Sequence, residues 1–272
     1  MSLRDMNFII KGKQKSMIDI HTHILPQLDD GSESLYESLE MAELAAESGV
    51  STIVATPHCN MEGIFENYYH EEWQLQIDQL AGFLKENGNS VKILTGMEIF
   101  ATYDVADKIK EGVLIPIQGS RYYLMEFPFD VNPFWMGDVL DSVLNLDKVP
   151  VIAHPERYYC VQDNPMLLYE WMQQGCLSQM NKGSAFGRFG KHAQMASQIL
   201  LDHGLVTCVA SDAHGAYRRT TFMGDIKEFL EEEYGKRYAN RLLLHNPESI
   251  ISDIPISNDS IIRPEAREWF PY

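Results

Sequence analysis

Histidines and carboxylates recur in this 272-residue chain at the ends of short apolar runs, a placement suited to metal-ion chemistry. The segment MIDIHTHILPQLDDGSES carries His21 and His23 two positions apart, with Asp30 in the loop that follows. Strand side chains alternate, so an HxH pair projects from one face. Downstream, ATPH ends in His58, TGMEIF holds Glu98 and LMEFPF holds Glu126. AHPER adds His154 and Arg157, and SDAH adds Asp212 and His214. Each motif alone has an ordinary reading. A strand-end acid caps a helix, and HPER makes a turn in which Arg157 pairs with Glu156. Five of the nine histidines nevertheless fall at these ends, whereas His70, His192, His203 and His245 lie in helix-like stretches and read as surface residues.

Imidazole and carboxylate without a thiolate set suit Mn²⁺, Fe²⁺ or Zn²⁺ and disfavour Ca²⁺ and Cu(I). The candidate ligands His21, His23, Asp30, His58, Glu98, Glu126, His154, Asp212 and His214 exceed what one tetrahedral ion can use. Two or three ions sharing carboxylates are therefore expected. Cys59, next to His58, reads as an ordinary buried thiol.

The elements that must bring these residues together are legible as strand–helix repeats. Strand candidates are SMIDIHTHIL, GVSTIVATPHC, VKILTGMEIFA, RYYLMEFPF, VPVIAHPERY, CLSQMNKGS and LVTCVASDAH. Several are nearly continuous apolar runs, as in strands covered on both faces of a parallel sheet. Between them lie helical patterns such as SESLYESLEMAELAAESG, where Ser34 and Glu37 form a capping-box signature and Gly49 suits the stop. Seven such repeats give an α/β chain. Polar residues at almost every strand end favour a barrel, since an open sheet would gather its site at one switch point. The expected organisation is one domain over residues 16–246, preceded by an extension (1–15) whose opening MSL reads as an expression remnant. A Pro- and Ser-containing tail follows over 247–272.

Composition narrows the function. Lys plus Arg number 22 against 39 Asp plus Glu, a formal charge of −17 that repels nucleic acid and anionic membranes. No apolar run is long enough to span a bilayer, and no leader pattern opens the chain. Four scattered cysteines suggest neither a disulfide framework nor a zinc ribbon, so a reducing cytoplasm is the expected location. Cysteine-dependent tyrosine phosphatases need C-x5-R, yet the sixth residue after each cysteine is Phe65, Met166, Lys182 or His214. No GxxxxGK[ST] phosphate loop is present either.

The ordered set DIHTH, DDG, ATPH, GMEI, EFP, HPER and SDAH resembles the polymerase and histidinol phosphatase (PHP) superfamily. More narrowly, it resembles the manganese-dependent protein-tyrosine phosphatases of bacterial capsule and exopolysaccharide loci. The likeness runs from about Met17 to about Asn246. It implies a distorted TIM-like (β/α)7 barrel of the PHP type with three divalent ions, Mn²⁺ first and Fe or Zn as alternatives. By motif, His21, His23, Glu98 and Asp212 would hold one ion. Glu98, Glu126 and His154 would hold a second, and Asp30, His58 and His214 a third. Arg157 and Arg219 would meet the phosphate. The implied substrate is phosphotyrosine on protein, in particular the tail of a bacterial tyrosine kinase. The sequence departs from the pattern in its first sixteen residues, at Cys59 where many relatives carry histidine, and in the aromatic insert GIFENYYHEEW.

Four carboxylates (−4) with three divalent ions (+6) leave such a site at +2 before the arginines are counted, so an acidic protein still presents a cationic cleft to an anion. Ions of this kind acidify water for in-line attack on phosphorus, and the arginines neutralise charge on its oxygens. Phe65, Tyr68, Tyr69 and Trp73 have two readings: a slot for a phenol ring, or the packing face of a helix. Two rival functions also stand at this point. One is a small-molecule phosphomonoesterase such as a histidinol phosphatase; the other is a PHP-like binding module without activity.

Overall fold

A computed structural model describes residues 16–265; the expected extension 1–15, including the MSL read as a remnant, and the last seven residues of the tail lie outside the described residues. In chain order the strands are β1 (Met17–Thr22), β2 (Val50–Ala55), β3 (His58–Cys59), β4 (Lys92–Thr95), β5 (Glu98–Phe100), β6 (Tyr122–Glu126), β7 (Val149–Ala153), β8 (Leu177–Asn181) and β9 (Cys208–Ala210). All pair in parallel, in one sheet of order β1-β2-β4 and another of order β3-β5-β6-β7-β8-β9.

The two sheets form one ring of seven staves. β2 continues into β3 across Thr56–Pro57, and β4 into β5 across Gly96–Met97. Pro57 has no N–H to give a ladder. Gly96 lies so close to β2 that a Cβ there would meet Val54 Cγ1 at 2.7 Å. Backbone bonds carry the pairing past these breaks: Thr56 N–H to Thr22 O (2.8 Å) and Glu98 N–H to Pro57 O (3.1 Å). The ring closes where Asp212 N–H donates to His21 O and His23 N–H to Ala213 O, both 2.9 Å. Helices such as Leu35–Glu47, Pro133–Leu144 and Lys191–Asp202 fill the crossovers.

Period two sorts the residues into layers. On β8 the inward set reads Leu177, Gln179, Asn181; on β9 it reads Cys208, Ala210 and then Asp212. The apolar members join Ile18, Ile20, Val54, Tyr122, Leu124, Val151 and Ala153 in an inner core, and the polar members rise to the C-terminal mouth. The opposite faces pack under the helices through residues such as Met41, Leu80, Leu140 and Leu200.

β1 breaks this rhythm. Its register against β2 slips between Asp19 and Thr22, a bulge. Bulges let successive side chains share a face. Ile20 therefore joins the inner core while His21 and His23 reach the mouth.

The capping box forms by half. Ser34 Oγ accepts from Glu37 N–H at 3.2 Å, but the Glu37 carboxylate accepts from Glu33 N–H at 2.8 Å instead of reaching Ser34. The aromatic insert also divides, because its helix begins only at Glu71 and buries Trp73, Ile77, Leu80 and Leu84. Residues 246–258 lie against the barrel. Ile250 is fully buried in the inner core, Tyr122 Oη donates to Ile254 O (2.7 Å), and Asn258 Nδ2 donates to Met172 O and Cys176 O. Among the described residues, no helix is long and apolar enough to cross a membrane.

Candidate metal centre

Three groups of potential ligands meet at the mouth: His21, His23, Glu98 and Asp212; His58, Glu98 and Glu126; and His23, Asp30, His58 and His214. The first is buried throughout. His21 Nε2 stands 3.1 Å from Glu98 Oε2 and 3.4 Å from Asp212 Oδ1. His23 Nε2 stands 3.2 and 3.4 Å from the same two oxygens, and 3.4 Å from His21 Nε2. Ligands about 2.1 Å from a common ion have neighbours about 3.0–3.4 Å apart in octahedral or tetrahedral arrangement. The four atoms are spaced like the edges of such a polyhedron.

Glu98 and Glu126 also face His58, whose Nδ1 is 3.0 Å from Glu98 Oε2 and 3.5 Å from Glu126 Oε2. His154 Nε2 stands 3.0 Å from Glu98 Oε1 and 3.4 Å from Glu126 Oε1. Asp30 Oδ1 lies 3.5 Å from His58 Nε2 and 3.4 Å from His214 Nε2. Every histidine and carboxylate singled out in the sequence thus reaches this mouth.

Hydrogen bonds from outside the ligand atoms set the imidazoles, two of them from Gln179 and Asp29, which are not among the predicted ligands. His21 Nδ1 bonds Gln179 Oε1 at 2.7 Å, His23 Nδ1 bonds Asp29 Oδ2 at 2.6 Å, and His214 Nδ1 bonds the Asp212 carbonyl at 3.1 Å. An Nδ1–H given to oxygen leaves the Nε2 lone pair facing the cluster, the tautomer a metal ligand needs. Gln179 Nε2 in turn donates to Asn181 Oδ1 (3.0 Å), and Asn181 Nδ2 donates to Asp212. Asp29 also accepts from the His58 and Gly31 amides. Gly31 is demanded by space, since a Cβ there would lie 2.2 Å from His23 O. The residue types of Gln179 and Asn181 do not mark them; burial does, since both are fully buried members of a strand.

Glu98 Oε2 and His58 Nδ1 are both buried without a hydrogen-bond partner, despite their proximity. Such orphans are rare in folded proteins and call for an ion or water. The donor set and its spacing fit divalent cations.

Charge across the centre is tightly coupled. Burial alone would lower His21, but the negative charges of Glu98 and Asp212 outweigh it and hold the imidazole above its ordinary value. His154 is pushed up to about 9, because hydrogen bonds to Glu126 and Glu98 overcome its burial. Burial would raise Glu98 and Asp212, yet the histidines around them, His21 foremost, hold both well below the usual carboxylate range. Asp30 is drawn down to about 2, chiefly by its hydrogen bond with His214.

Both predicted arginines face the same acid. Arg219 Nη2 contacts Asp212 Oδ2, and Arg157 Nη1 lies 3.5 Å from that oxygen. Arg157 does not pair with Glu156, whose buried carboxylate accepts from Asn181 N–H and Ser184 Oγ. His154, Asp212 and Arg219 adopt positive φ of 34°, 49° and 49°. That conformation is costly for residues with a Cβ and tends to concentrate at functional sites. Cys59 is a fully buried thiol, which burial pushes up to about 12. Phe65 stacks on the His58 ring at 5.6 Å and 11°, so one member of the aromatic insert lines the mouth while Trp73 belongs to the core.

The tyrosine-protein phosphatase YwqE of Bacillus subtilis is 36% identical over 235 residues, covering 86% of this chain and 91% of that protein. The tyrosine-protein phosphatase CpsB of Streptococcus pneumoniae is 34% identical over 244 residues, covering 87% and 99% respectively. Among solved structures, a chain from the crystal structures of YwqE and CpsB, described as metal-dependent tyrosine phosphatases, superposes with a TM-score of 0.85. It is 34% identical and covers 92% of this chain and all of that one. A lactonase from Listeria monocytogenes, 13% identical with a TM-score of 0.54 over 88% of this chain and 95% of its own, shares the fold alone. The family model for capsular polysaccharide synthesis proteins CpsB/CapC matches residues 17–252, and the chain belongs to that family.

Proposed function

We propose that this protein hydrolyses phosphotyrosine on protein substrates with the aid of divalent metal ions. The observation that carries the reading is the convergence of three ligand groups and two arginines on one barrel mouth. The names of the relatives agree with it. His21, His23, Glu98 and Asp212 would hold one ion. Glu98, Glu126 and His154 would hold a second, and Asp30, His58 and His214 a third. Mn²⁺ is the first choice, with Fe or Zn compatible with the same donors. Ions held there supply Lewis acidity toward phosphoryl oxygens and acidify water enough to attack phosphorus at neutral pH.

The chain's own part is positioning and charge. Gln179 and Asp29 keep Nε2 of His21 and His23 turned inward. Arg157 and Arg219 are the phosphate donors, and planar guanidinium suits bidentate contact with phosphoryl oxygens. Both lean on Asp212; a cation held by that carboxylate would leave their N–H groups free for the phosphate.

The physiological substrate is expected to be a tyrosine-phosphorylated protein of capsule or exopolysaccharide synthesis, in particular the tail of a tyrosine kinase. Four free cysteines suit a reducing, cytoplasmic setting. Turnover of a phosphotyrosyl peptide and of histidinol phosphate under Mn²⁺ tests the reading. The peptide should be preferred, and the His21→Ala/His23→Ala double variant should lose activity while staying folded by circular dichroism. Preference for histidinol phosphate would assign a small-molecule phosphatase instead.

A further inference from the structure

A second cavity of about 240 Å³ shares Arg157 with the metal-binding mouth. Its other walls include Phe129, Tyr159, Phe189, Lys191 and His192. The Arg157 guanidinium carbon lies 4.5 Å from the centre of the Phe129 ring and 4.4 Å from that of Phe189. These cation–π contacts hold the guanidinium at the boundary between the two spaces. Among the described residues, no carboxylate lines the cavity, although the chain as a whole carries a charge of −17. Lys191 is exposed at its rim, and Tyr159 is 58% exposed.

We infer that this cavity receives an acidic side chain of the substrate polypeptide, close in sequence to the phosphotyrosine. The inference rests on the phosphotyrosine reading above and adds a preference to it. The occupant is anionic because Arg157 and Lys191 line the cavity while Phe129 and Phe189 are already engaged with Arg157. The occupant belongs to the same polypeptide because Arg157 reaches Asp212 at 3.5 Å while also forming the cavity wall. Because one guanidinium borders both spaces, the acidic residue lies close to the phosphotyrosine along the chain. The surface as a whole predicts the opposite preference, since its net negative charge repels acidic peptides. The two effects can therefore be told apart by sign.

The test compares kcat/KM of the full-length, Mn²⁺-loaded protein on three matched phosphotyrosyl peptides. Their flanking positions carry glutamate, alanine or lysine, and free phosphotyrosine serves as the reference. Glutamate flanks should raise kcat/KM about fivefold over alanine, through KM, as expected of a solvent-accessible charge pair. Lys191→Glu should reverse the order in favour of lysine while leaving turnover of free phosphotyrosine unchanged. Equal values on the three peptides, or a glutamate preference that survives Lys191→Glu, would overturn the inference. Failure of the wild-type protein to hydrolyse free phosphotyrosine and every peptide would instead overturn the phosphatase reading itself.

Discussion

His21 and Gln179, 158 positions apart, meet across the barrel with Nδ1 2.7 Å from Oε1, and this one bond selects the ring nitrogen that faces the ligand cluster. Gln179 belongs to β8, the stave that contributes no predicted metal ligand of its own. Its amide is doubly used, because the nitrogen end donates to Asn181 and through it to Asp212. Gln179→Leu should therefore weaken metal binding by about 10- to 100-fold, the range for residues that orient metal ligands. Titration calorimetry with Mn²⁺ checks this, with circular dichroism confirming an intact fold.

Gly31 makes a sharper case. A methyl group there would press on His23 O at 2.2 Å and on His23 Cβ at 2.4 Å. Gly31→Ala should displace the loop that carries Asp29 and Asp30, lowering both bound metal and turnover. Elemental analysis of the purified variant should show fewer ions per chain than the wild type.

The fall of stability with rising pH should be steeper without metal than with it. His154 is held up to about 9 against an ordinary 6.5, so the metal-free fold binds protons that the unfolded chain releases between those values. The stabilisation is complete below about 6.5 and lost as pH rises through about 9. Metal binding requires neutral imidazoles and so strengthens over the same range. Calorimetric scans should show Tm falling from pH 6.5 to 9 in chelator and falling less, or rising, with Mn²⁺ present.

Ile250 offers a test away from the chemistry. It is fully buried in the inner core, beyond the residue where the sequence reading ended the barrel. Ile250→Ala should cost about 2–5 kcal/mol. Denaturant titration measures the loss, and kcat per bound metal should be retained.

What the sequence disclosed and what it withheld follow from where each signal resides. Strand ends were readable because apolar runs stop at residues of distinctive type. Glu126, His154 and Asp212 lie at or just beyond the ends of β6, β7 and β9, whereas His58 and Glu98 open β3 and β5, just past the breaks that follow β2 and β4. The bulge between Asp19 and Thr22 is a matter of register between two strands, and alternation within β1 alone does not reveal it. Gln179 and Asn181 carry no type that marks a metal site; only burial discloses them. Glu37 shows the same limit, since its spacing from Ser34 suggested a capping box and the folded chain directs the carboxylate to Glu33 N–H. Phe65 and Trp73 lie eight positions apart in one aromatic insert, and only the start of the helix at Glu71 assigns them to different layers.

The central claim is that the mouth is a cage for cations, and anomalous scattering from crystals grown with Mn²⁺ tests it most directly. The account predicts three peaks, one of them about 2.2 Å from His21 Nε2, His23 Nε2 and carboxylate oxygens of Glu98 and Asp212. Crystals that hydrolyse phosphotyrosine yet show no ion among these side chains would contradict it.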